Sequence, residues 1–181
     1  MNYTFVPMNE KYAAEIVNTW KYENEHSVYD YSNEAEHMLD TEAWGSGIFA
    51  VLNQEGELVG ELSIEFFDEK GDYTAYAEFG NKALINQREL WIGFGMRPDQ
   101  IGQGHGAGFV TACVEYAVKR HQYGGEDVRL GVALFNKRAI KAYEKAGFQI
   151  FGRTNGTING KTFECVHMRK KLHNAGEGIH H

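Results

Sequence analysis

The chain has 181 residues and a formal net charge of −7, which fits one domain that buries a core without disulfide or metal staples. Its 43% hydrophobic and 24% charged residues form an ordinary globular composition, and the acidic balance argues against nucleic acid and for a cationic partner such as an amine. Acids that only keep the protein soluble would explain the charge equally well.

Cysteine usage and hydropathy exclude several other classes. Cys113 and Cys165 are the only cysteines and lie far apart, which indicates neither a disulfide framework nor a zinc site, and the histidines show no metal-ligand spacing. No stretch approaches the roughly 18 apolar residues of a membrane span, and no leader pattern opens the chain. We therefore predict a cytoplasmic protein without a metal or a membrane partner. Residues 1–172 would form one domain, followed by a polar tail, 173–181, that is disordered or vector-derived.

Two helices are predicted in the first quarter of the chain. Asn9 is a candidate N-cap for a helix that ends near Lys21. Asn33 is a candidate N-cap for a short second helix through Leu39, with Glu36 at the capping-box position.

Strands surround these helices and lead to the middle of the chain. Alternation and turn residues predict strands at 3–6, 47–52 and 58–67, of which the last two form a hairpin. The stretch 73–85 is ambiguous, and a further strand is the favoured interpretation. The next strand begins at Leu90.

A glycine-rich motif follows that strand, with glycines spaced by two at Gly102, Gly104, Gly106 and Gly108. Apolar residues at helical spacing come directly after it and predict an amphipathic helix that stops at Gly124. The remaining elements are predicted to be a strand at 128–134, a helix at 137–145 and strands at 148–153 and 162–169.

This order predicts an α/β fold with a mixed sheet of seven to eight strands and helices on both faces. The block of strand, glycine loop, helix and strand favours a parallel pair with a right-handed crossover. The hairpins favour antiparallel pairing.

The glycine loop has two functional interpretations. Residues 102–107 fit the G-x-G-x-x-A dinucleotide fingerprint, although the acids Glu126 and Asp127 precede the next strand instead of ending it. Alternatively, the loop and the helix N-terminus hold the pyrophosphate of a single extended cofactor. A glycine turn without any ligand is the third option, which loses backbone entropy without a packing return.

The loop and a second motif together resemble the GNAT superfamily of N-acetyltransferases. That family shows [QR]-x-x-G-x-[GA], matched here at Gln103, Gly106 and Gly108. It also shows N-x-x-A-x-x-x-Y-x-x-x-G-F, matched at Asn136, Ala139, Tyr143, Gly147 and Phe148. The resemblance covers Glu89 to Leu172 and agrees with the order of elements before it.

The resemblance implies a partly splayed sheet with acetyl-coenzyme A (acetyl-CoA) between the strands 90–97 and 128–134. Arg97 is also a candidate partner for Asp99, and Asn136 a plain N-cap. The residues implied in cofactor binding are Gly95, Met96, Arg97, Gln103, Gly104, His105, Gly106, Ala107, Gly108, Asn136, Ala139 and Tyr143.

Tyr143 stands where the family often places a general acid for the departing thiolate, and a phenol is protonated at neutral pH. A purely packing role for it is the alternative. The amine needs a base, for which Glu89 is the first choice among Glu61, Glu65, Glu78 and Glu89, and a chain of waters would also serve.

The family forms its acceptor wall from the first two helices and their loop. In this chain that loop carries Tyr22, His26, Tyr29 and Tyr31, which are predicted to bind the substrate amine. A surface loop whose tyrosines cover the core is the alternative. The resemblance also implies that the chain can form a homodimer, because the family often forms dimers.

The sequence therefore predicts an N-acetyltransferase that moves an acetyl group from acetyl-CoA directly to a primary amine of a small molecule or peptide. Covalent catalysis is disfavoured, because neither cysteine lies in an activating motif. Two alternatives stay open: a dinucleotide-binding oxidoreductase and a non-catalytic coenzyme A-binding module.

Overall fold

The computed structural model describes residues 2–158 and 160–172, so the predicted tail 173–181 lies outside the described residues. Seven strands alternate with five helices along this part of the chain. The strands are β1 (Thr4–Pro7), β2 (Ile48–Leu52), β3 (Leu58–Phe67), β4 (Glu89–Met96), β5 (Asp127–Ala133), β6 (Gln149–Ile158) and β7 (Lys161–Lys171). The helices are α1 (Glu10–Thr19), α2 (Ala35–Met38), α3 (Lys82–Ile85), α4 (Gly106–His121) and α5 (Lys137–Lys145).

The seven strands form one mixed, open sheet in the order β1-β2-β3-β4-β5-β7-β6. Only β4 and β5 run parallel, and α4 makes the crossover between them. All the other neighbours are antiparallel. The predicted mixed α/β sheet is thereby confirmed.

The sheet splays where β4 and β5 diverge. These two strands are paired only at Leu90↔Val128 and Trp91↔Arg129, whereas β3 stays paired with β4 up to Met96. On its other side β5 is paired with β7 along its whole length. The backbone of β4 beyond Trp91 therefore has a strand partner on one edge only, which opens a cleft beside β5.

Helices cover both faces of the sheet. On one face, α1 buries Ala13, Ile16 and Val17 against Ile48 and Ala50 of β2. On the opposite face, α4 and α5 pack over the centre of the sheet in a larger cluster. Its buried members include Phe49, Leu62, Ile64, Leu90, Ile92, Phe109, Val110, Cys113, Val114, Ala117, Val128, Leu130 and Ile140. Successive strand residues alternate between these faces, so β3 directs Leu62 and Ile64 toward α4 and directs Glu61, Ser63 and Glu65 toward the α1 face.

Local signals explain most helix ends. Asn9 caps α1 by accepting a hydrogen bond from Tyr12 N at 2.9 Å, as predicted. α5 begins after the predicted N-cap Asn136 and ends in a Schellman motif, in which Phe148 N donates to Tyr143 O at 3.0 Å. Gly147 carries the φ of 99° that this motif requires.

One predicted strand is wrong, and the predicted second helix is present but shorter and without its predicted cap. Residues 73–85 form no eighth strand in the described chain. They hold a 3₁₀ turn at Tyr76–Glu78 and then α3, because Asn81 caps that helix by accepting from Leu84 N at 3.1 Å. The short helix after Asn33 is only Ala35–Met38, preceded by 3₁₀ turns at Asn24–Tyr29 and Tyr31–Glu34. Asn33 does not cap it, since its amide donates instead to Ser27 O and Val28 O.

Candidate active site

The open edge of β4 lines one side of the cleft. Arg97 N donates to Val59 O at 2.8 Å, so the alternation of an antiparallel pair directs the backbone groups of Gly95 toward β3 as well. The N–H and C=O groups of Phe94 and Met96 point the other way, toward the cleft. Of the three residues predicted to contact a pantetheine arm through their backbone, the structure brings only Met96 to the cleft. The Arg97 side chain binds Asp99 at 2.6 Å, as predicted, and Leu58 O at 3.0 Å.

The glycine loop places an uncapped helix end beside this edge. Gly102 and Gly104 have φ values of 77° and 81°, a conformation that favours glycine. His105 is the N-cap of α4 but makes no side-chain cap hydrogen bond, and the first turn of α4 contains no acid. The predicted residues from Gln103 to Gly108 therefore surround backbone N–H groups that carry the positive end of a 16-residue helix.

The same loop is open enough to admit a ligand. A Cβ added at Gly104 or at Gly108 would meet no atom within 4 Å. His105 Nδ1 is buried and has no hydrogen-bond partner within residues 2–158 and 160–172. The donor set and the free space fit a pyrophosphate group, for which helix N-termini provide backbone N–H groups and a favourable dipole.

Tyr143 lies on the α4 side of the cleft. Its partly buried ring packs 5.8 Å from the ring of Phe94 and 6.1 Å from that of Phe148. Burial, with a smaller effect of the nearby Tyr29, raises the pKa of the Tyr143 phenol. The hydroxyl is therefore protonated throughout the neutral range and is suited to donate a proton.

Residues 22–31 connect the two sides of the cleft. On the β4 side, Tyr22 Oη donates to Met96 O at 2.8 Å. On the β5 side, His26 and Tyr29 pack against Phe135, with ring centroids 5.8 and 6.0 Å apart. The predicted acceptor residues thus lie over the splay, although in two groups.

Asn136 and Ala139 begin α5 next to Phe135. Asn136 Oδ1 accepts from Ala139 N at 3.3 Å, which makes Asn136 the N-cap of α5. This position directly follows the end of β5, so both residues lie on the cleft side that faces β4.

Tyr31, the last of the predicted acceptor residues, leads to a buried carboxylate. Tyr31 Oη donates to Glu61 Oε1 at 2.7 Å, and Ser63 Oγ donates to Glu61 Oε2 at 3.0 Å. Glu61 is only 3% exposed. Burial raises the pKa of the Glu61 carboxyl, while the two hydrogen bonds oppose that rise. Gly95 is paired with Glu61 in the sheet, and any side chain there would collide with the Tyr31 hydroxyl.

The model of the acetyltransferase (GNAT) family matches residues 12–148, which is most of the chain and includes both the cleft and the glycine loop. The chain belongs to the GNAT family.

Solved structures of GNAT N-acetyltransferases share the fold. A spermidine N-acetyltransferase SpeG chimera from Vibrio cholerae and hSSAT superposes with a TM-score of 0.64 at 18% identity, over 94% of this chain and 96% of that one. The structure of AAC(6')-Ib in complex with ribostamycin and coenzyme A gives 0.66 at 20% identity, over 94% of both chains. A putative phosphinothricin N-acetyltransferase gives 0.63 at 16% identity, over 96% of this chain and all of the other. No curated protein is significantly similar to the chain in sequence.

Glu89, the first choice for the base from sequence, lies at the closed end of the GNAT cleft. It begins β4 next to the paired residues Leu90 and Val128. Its carboxylate binds Arg129 Nη1 at 3.1 Å and accepts from Trp91 Nε1 at 3.0 Å. The position is also several residues from the open part of β4. The structure therefore does not bring Glu89 to the open part of β4 beside Tyr143, whereas Glu61 is paired with Gly95 there.

The sequence motifs assigned no role to Ser63 and did not single out Glu61 among the candidate bases. Gly102, which begins the predicted G-x-G-x-x-A pattern, has a positive φ similar to that of Gly104. Glu61 and Ser63 share one face of β3, and period-two spacing after the hairpin was the available signal. Glu61 was one of the four acids predicted as candidate bases, and its burial distinguishes it from the other three.

Two further observations concern the described chain as a whole. Residues 2–158 and 160–172 contain no group of three or more His, Cys, Asp or Glu side chains placed to hold a metal ion. Among the helices of this part of the chain, none is both long and apolar enough to cross a membrane.

Proposed function

We propose that this GNAT enzyme transfers an acetyl group from acetyl-CoA directly to a primary amine of a small molecule or peptide. Glu61 would take up the proton of the amine, and Tyr143 would protonate the departing sulfur. One observation carries the proposal. The consecutive residues Phe94 and Gly95 lie on the open part of β4, where Tyr143 packs on the first and Glu61 is paired with the second. Because consecutive strand residues face opposite sides, a proton donor and a proton acceptor meet the cleft from opposite faces.

Acetyl-CoA fits the groups that the chain offers. The amides at the start of α4 would hold its pyrophosphate, with His105 and Gln103 beside them. The backbone N–H and C=O of Phe94 and the N–H of Met96 would bind the extended arm as a neighbouring strand binds, while Met96 O already accepts from Tyr22 Oη, and Asn136 would contact the arm from the β5 side. Bound acetyl-CoA supplies an activated carbonyl and a thiolate leaving group.

The buried carboxylate is suited to the first proton transfer. An alkylammonium with a pKa near about 10 must lose a proton before it can attack a carbonyl. The raised pKa of Glu61 makes it a stronger base than an exposed glutamate. The Ser63 hydroxyl is only partly buried, so it connects Glu61 with the α1 face from which an amine would approach.

Tyr143 performs the complementary transfer on the other face. Its phenol keeps its proton at neutral pH and is therefore available to donate it as negative charge develops on the departing sulfur. A cysteine nucleophile is disfavoured, because Cys113 is buried under α4 and burial raises the pKa of its thiol.

Nicotinamide chemistry, the first alternative, lacks its expected residue. A dinucleotide fold places an acid at the end of the strand after the glycine-loop helix. Here β5 ends at Ala133, and the chain then runs through Leu134 and Phe135 to Asn136, so no acid stands at that position.

Substitution of Tyr143 by Phe tests the proposal and separates it from a non-catalytic coenzyme A-binding module. Thiol release from acetyl-CoA should be measured over a panel of primary amines, and acetyl-CoA affinity by calorimetry. We expect kcat to fall roughly 100-fold, as for loss of a general acid, while acetyl-CoA affinity stays within about twofold. Tyr116→Phe is the matched control, since Tyr116 stacks on Phe5 at 4.4 Å on the opposite side of α4. Tight binding of NADH instead of acetyl-CoA, or thiol release that is equal in wild type and Tyr143→Phe, would contradict the proposal.

A further inference from the structure

Beyond Glu61, a second acid on the α1 face lines a cavity of its own. Glu65 follows Glu61 by four residues on β3, so the two carboxylates leave the same face of the sheet about 13 Å apart along the strand. The cavity has a volume of about 290 Å³. Its lining consists of His37, Glu65, Tyr73, Thr74, Ala75, Tyr76 and Phe79.

The Glu65 carboxylate has no protein partner to balance its charge. Within residues 2–158 and 160–172 it forms neither a hydrogen bond nor an ion pair, although its side chain is partly buried. Burial raises the pKa of Glu65, and the nearby His37 opposes this rise. A partly buried carboxylate without a partner lowers the stability of the fold unless a cation or a hydrogen-bond donor binds to it.

Aromatic rings surround the same position. Tyr73 is 73% exposed at the rim and packs 4.7 Å from the ring of Phe67. Tyr76 packs 5.3 Å from Phe79 deeper in the cavity. Both rings line the same cavity as the Glu65 carboxylate. The charge of Glu65 is the largest cause that raises the pKa of the Tyr73 phenol, whereas burial, with a smaller effect of Glu65, raises the pKa of Tyr76 to about 12. Ring faces beside a carboxylate are the usual setting for an alkylammonium group.

Small residues occupy the sheet surface between this cavity and the splay. Ser63 and Gly93 are paired between Glu61 and Glu65, and Gly93 is exposed. On the other side of the splay Gly131 is exposed as well. A Cβ added at Gly93 would meet only Ser63, at 3.8 Å, so no large side chain projects from Gly93 or Ser63 between the two acids.

We infer that the acceptor is an elongated molecule with two cationic ends, one amine reacting beside Glu61 while Glu65 and the rings around it hold a second ammonium. This inference rests on the proposed function, because it assigns the acceptor of the same site. With about 3 Å for each nitrogen-to-oxygen contact, the two nitrogens lie roughly 7–10 Å apart. An aliphatic diamine of medium length meets that requirement, and ethane-diamine is too short.

The test compares diamines with a monoamine of matched length. Thiol release is measured with ethane-, butane-, hexane- and octane-diamine and with hexylamine, for wild type and Glu65→Gln. We expect kcat/KM to increase from ethane- to hexane-diamine in the wild type and to exceed the value for hexylamine. In Glu65→Gln the ratio of hexane-diamine to hexylamine should fall about 10-fold, the effect of losing one partly desolvated charge pair. Glu69→Gln is the matched control, since Glu69 is exposed in the turn after β3 and should keep the ratio.

A binding measurement separates failure of this inference from failure of the proposed function. Calorimetric titration with hexane-diamine needs no turnover, and binding that weakens in Glu65→Gln but not in Glu69→Gln would support the subsite even if no amine were acetylated. Acetylation of hexylamine as efficiently as hexane-diamine, or equal binding of hexane-diamine by wild type and Glu65→Gln, would overturn the inference. Thermal melting of both variants verifies that each is folded.

Discussion

Replacement of Tyr31 by Phe tests the role of Glu61 most directly. The substitution keeps the ring that packs 6.0 Å from Trp20 and removes only the hydroxyl that donates to Glu61 Oε1 at 2.7 Å. That hydrogen bond favours the charged carboxylate, while burial disfavours it. Its loss therefore raises the pKa of Glu61 further, and more of the base is protonated at any given pH.

The magnitude follows from the geometry. A hydrogen bond to a charged group contributes about 1.5–3 kcal/mol, and about 1.36 kcal/mol corresponds to one pH unit. Ser63 still donates to the other carboxylate oxygen, so the carboxylate retains one of its two bonds. We expect the acidic limb of the kcat/KM profile to move to higher pH by about one to two units.

The assay is thiol release from acetyl-CoA with one amine over a range of pH. The ionisation of the amine itself is identical for both proteins and cancels in the comparison. Tyr22→Phe is the matched control, because it removes a phenol hydroxyl that donates to a backbone carbonyl, Met96 O, and not to Glu61. An acidic limb that stays at the wild-type pH in Tyr31→Phe would refute Glu61 as the titrating base.

Two further predictions concern stability. Glu61 has a pKa raised in the folded state, so it contributes stability below the unfolded value of about 4.3 that is lost as pH rises toward the folded value. The unfolding free energy of Glu61→Gln relative to wild type should therefore increase between pH 4 and pH 8 in urea titrations, and a pH-independent difference would contradict the burial argument. Gly104→Ala should lower the free energy of unfolding by about 1–2 kcal/mol, because a left-handed φ of 81° is strained for alanine. Gly108→Ala, inside the first turn of α4 with no atom near its Cβ, should instead raise it by up to about 1 kcal/mol, and equal shifts in thermal melting would refute the assignment of strain.

The sequence was sufficient to predict helix caps and element bounds where a residue acts on its immediate neighbours. Asn9 and Asn136 cap helices through contacts three residues away, and the bounds of β3 and of α5 agree with the prediction to the residue. The same local chemistry was ambiguous for Asn33, which could cap the next helix or bind back to residues 27 and 28. Residues 73–85 were misassigned because their tyrosines favour a strand, whereas Asn81 caps a helix, α3, in the second half of this stretch.

The candidate site shows a different limit. Roles for the glycine loop, Asn136 and Tyr143 could be predicted from contiguous motifs through their resemblance to the GNAT family. The base could not, because Glu61 and Glu89 are both acids on strands and differ in what lies across the sheet. Glu89 faces Arg129 on β5, 40 positions later, whereas Glu61 faces Tyr31, 30 positions earlier. Neither contact is visible in the local sequence, because each joins residues that only the folded sheet and the segment over it bring together.

The 3₁₀ turn Asn24–Tyr29 has a consequence for how such a protein changes its acceptor over time. The turn lies over the splay yet contributes no buried residue to either core. Substitutions there cost little folding free energy, since surface changes rarely exceed about 0.5 kcal/mol. The cofactor groups, by contrast, belong to α4, α5 and β4, whose packing holds the sheet together. Under the proposed function, the predicted acceptor residues His26 and Tyr29 can therefore change at little cost to the fold, whereas changes in the elements proposed to hold acetyl-CoA lower stability as well as binding.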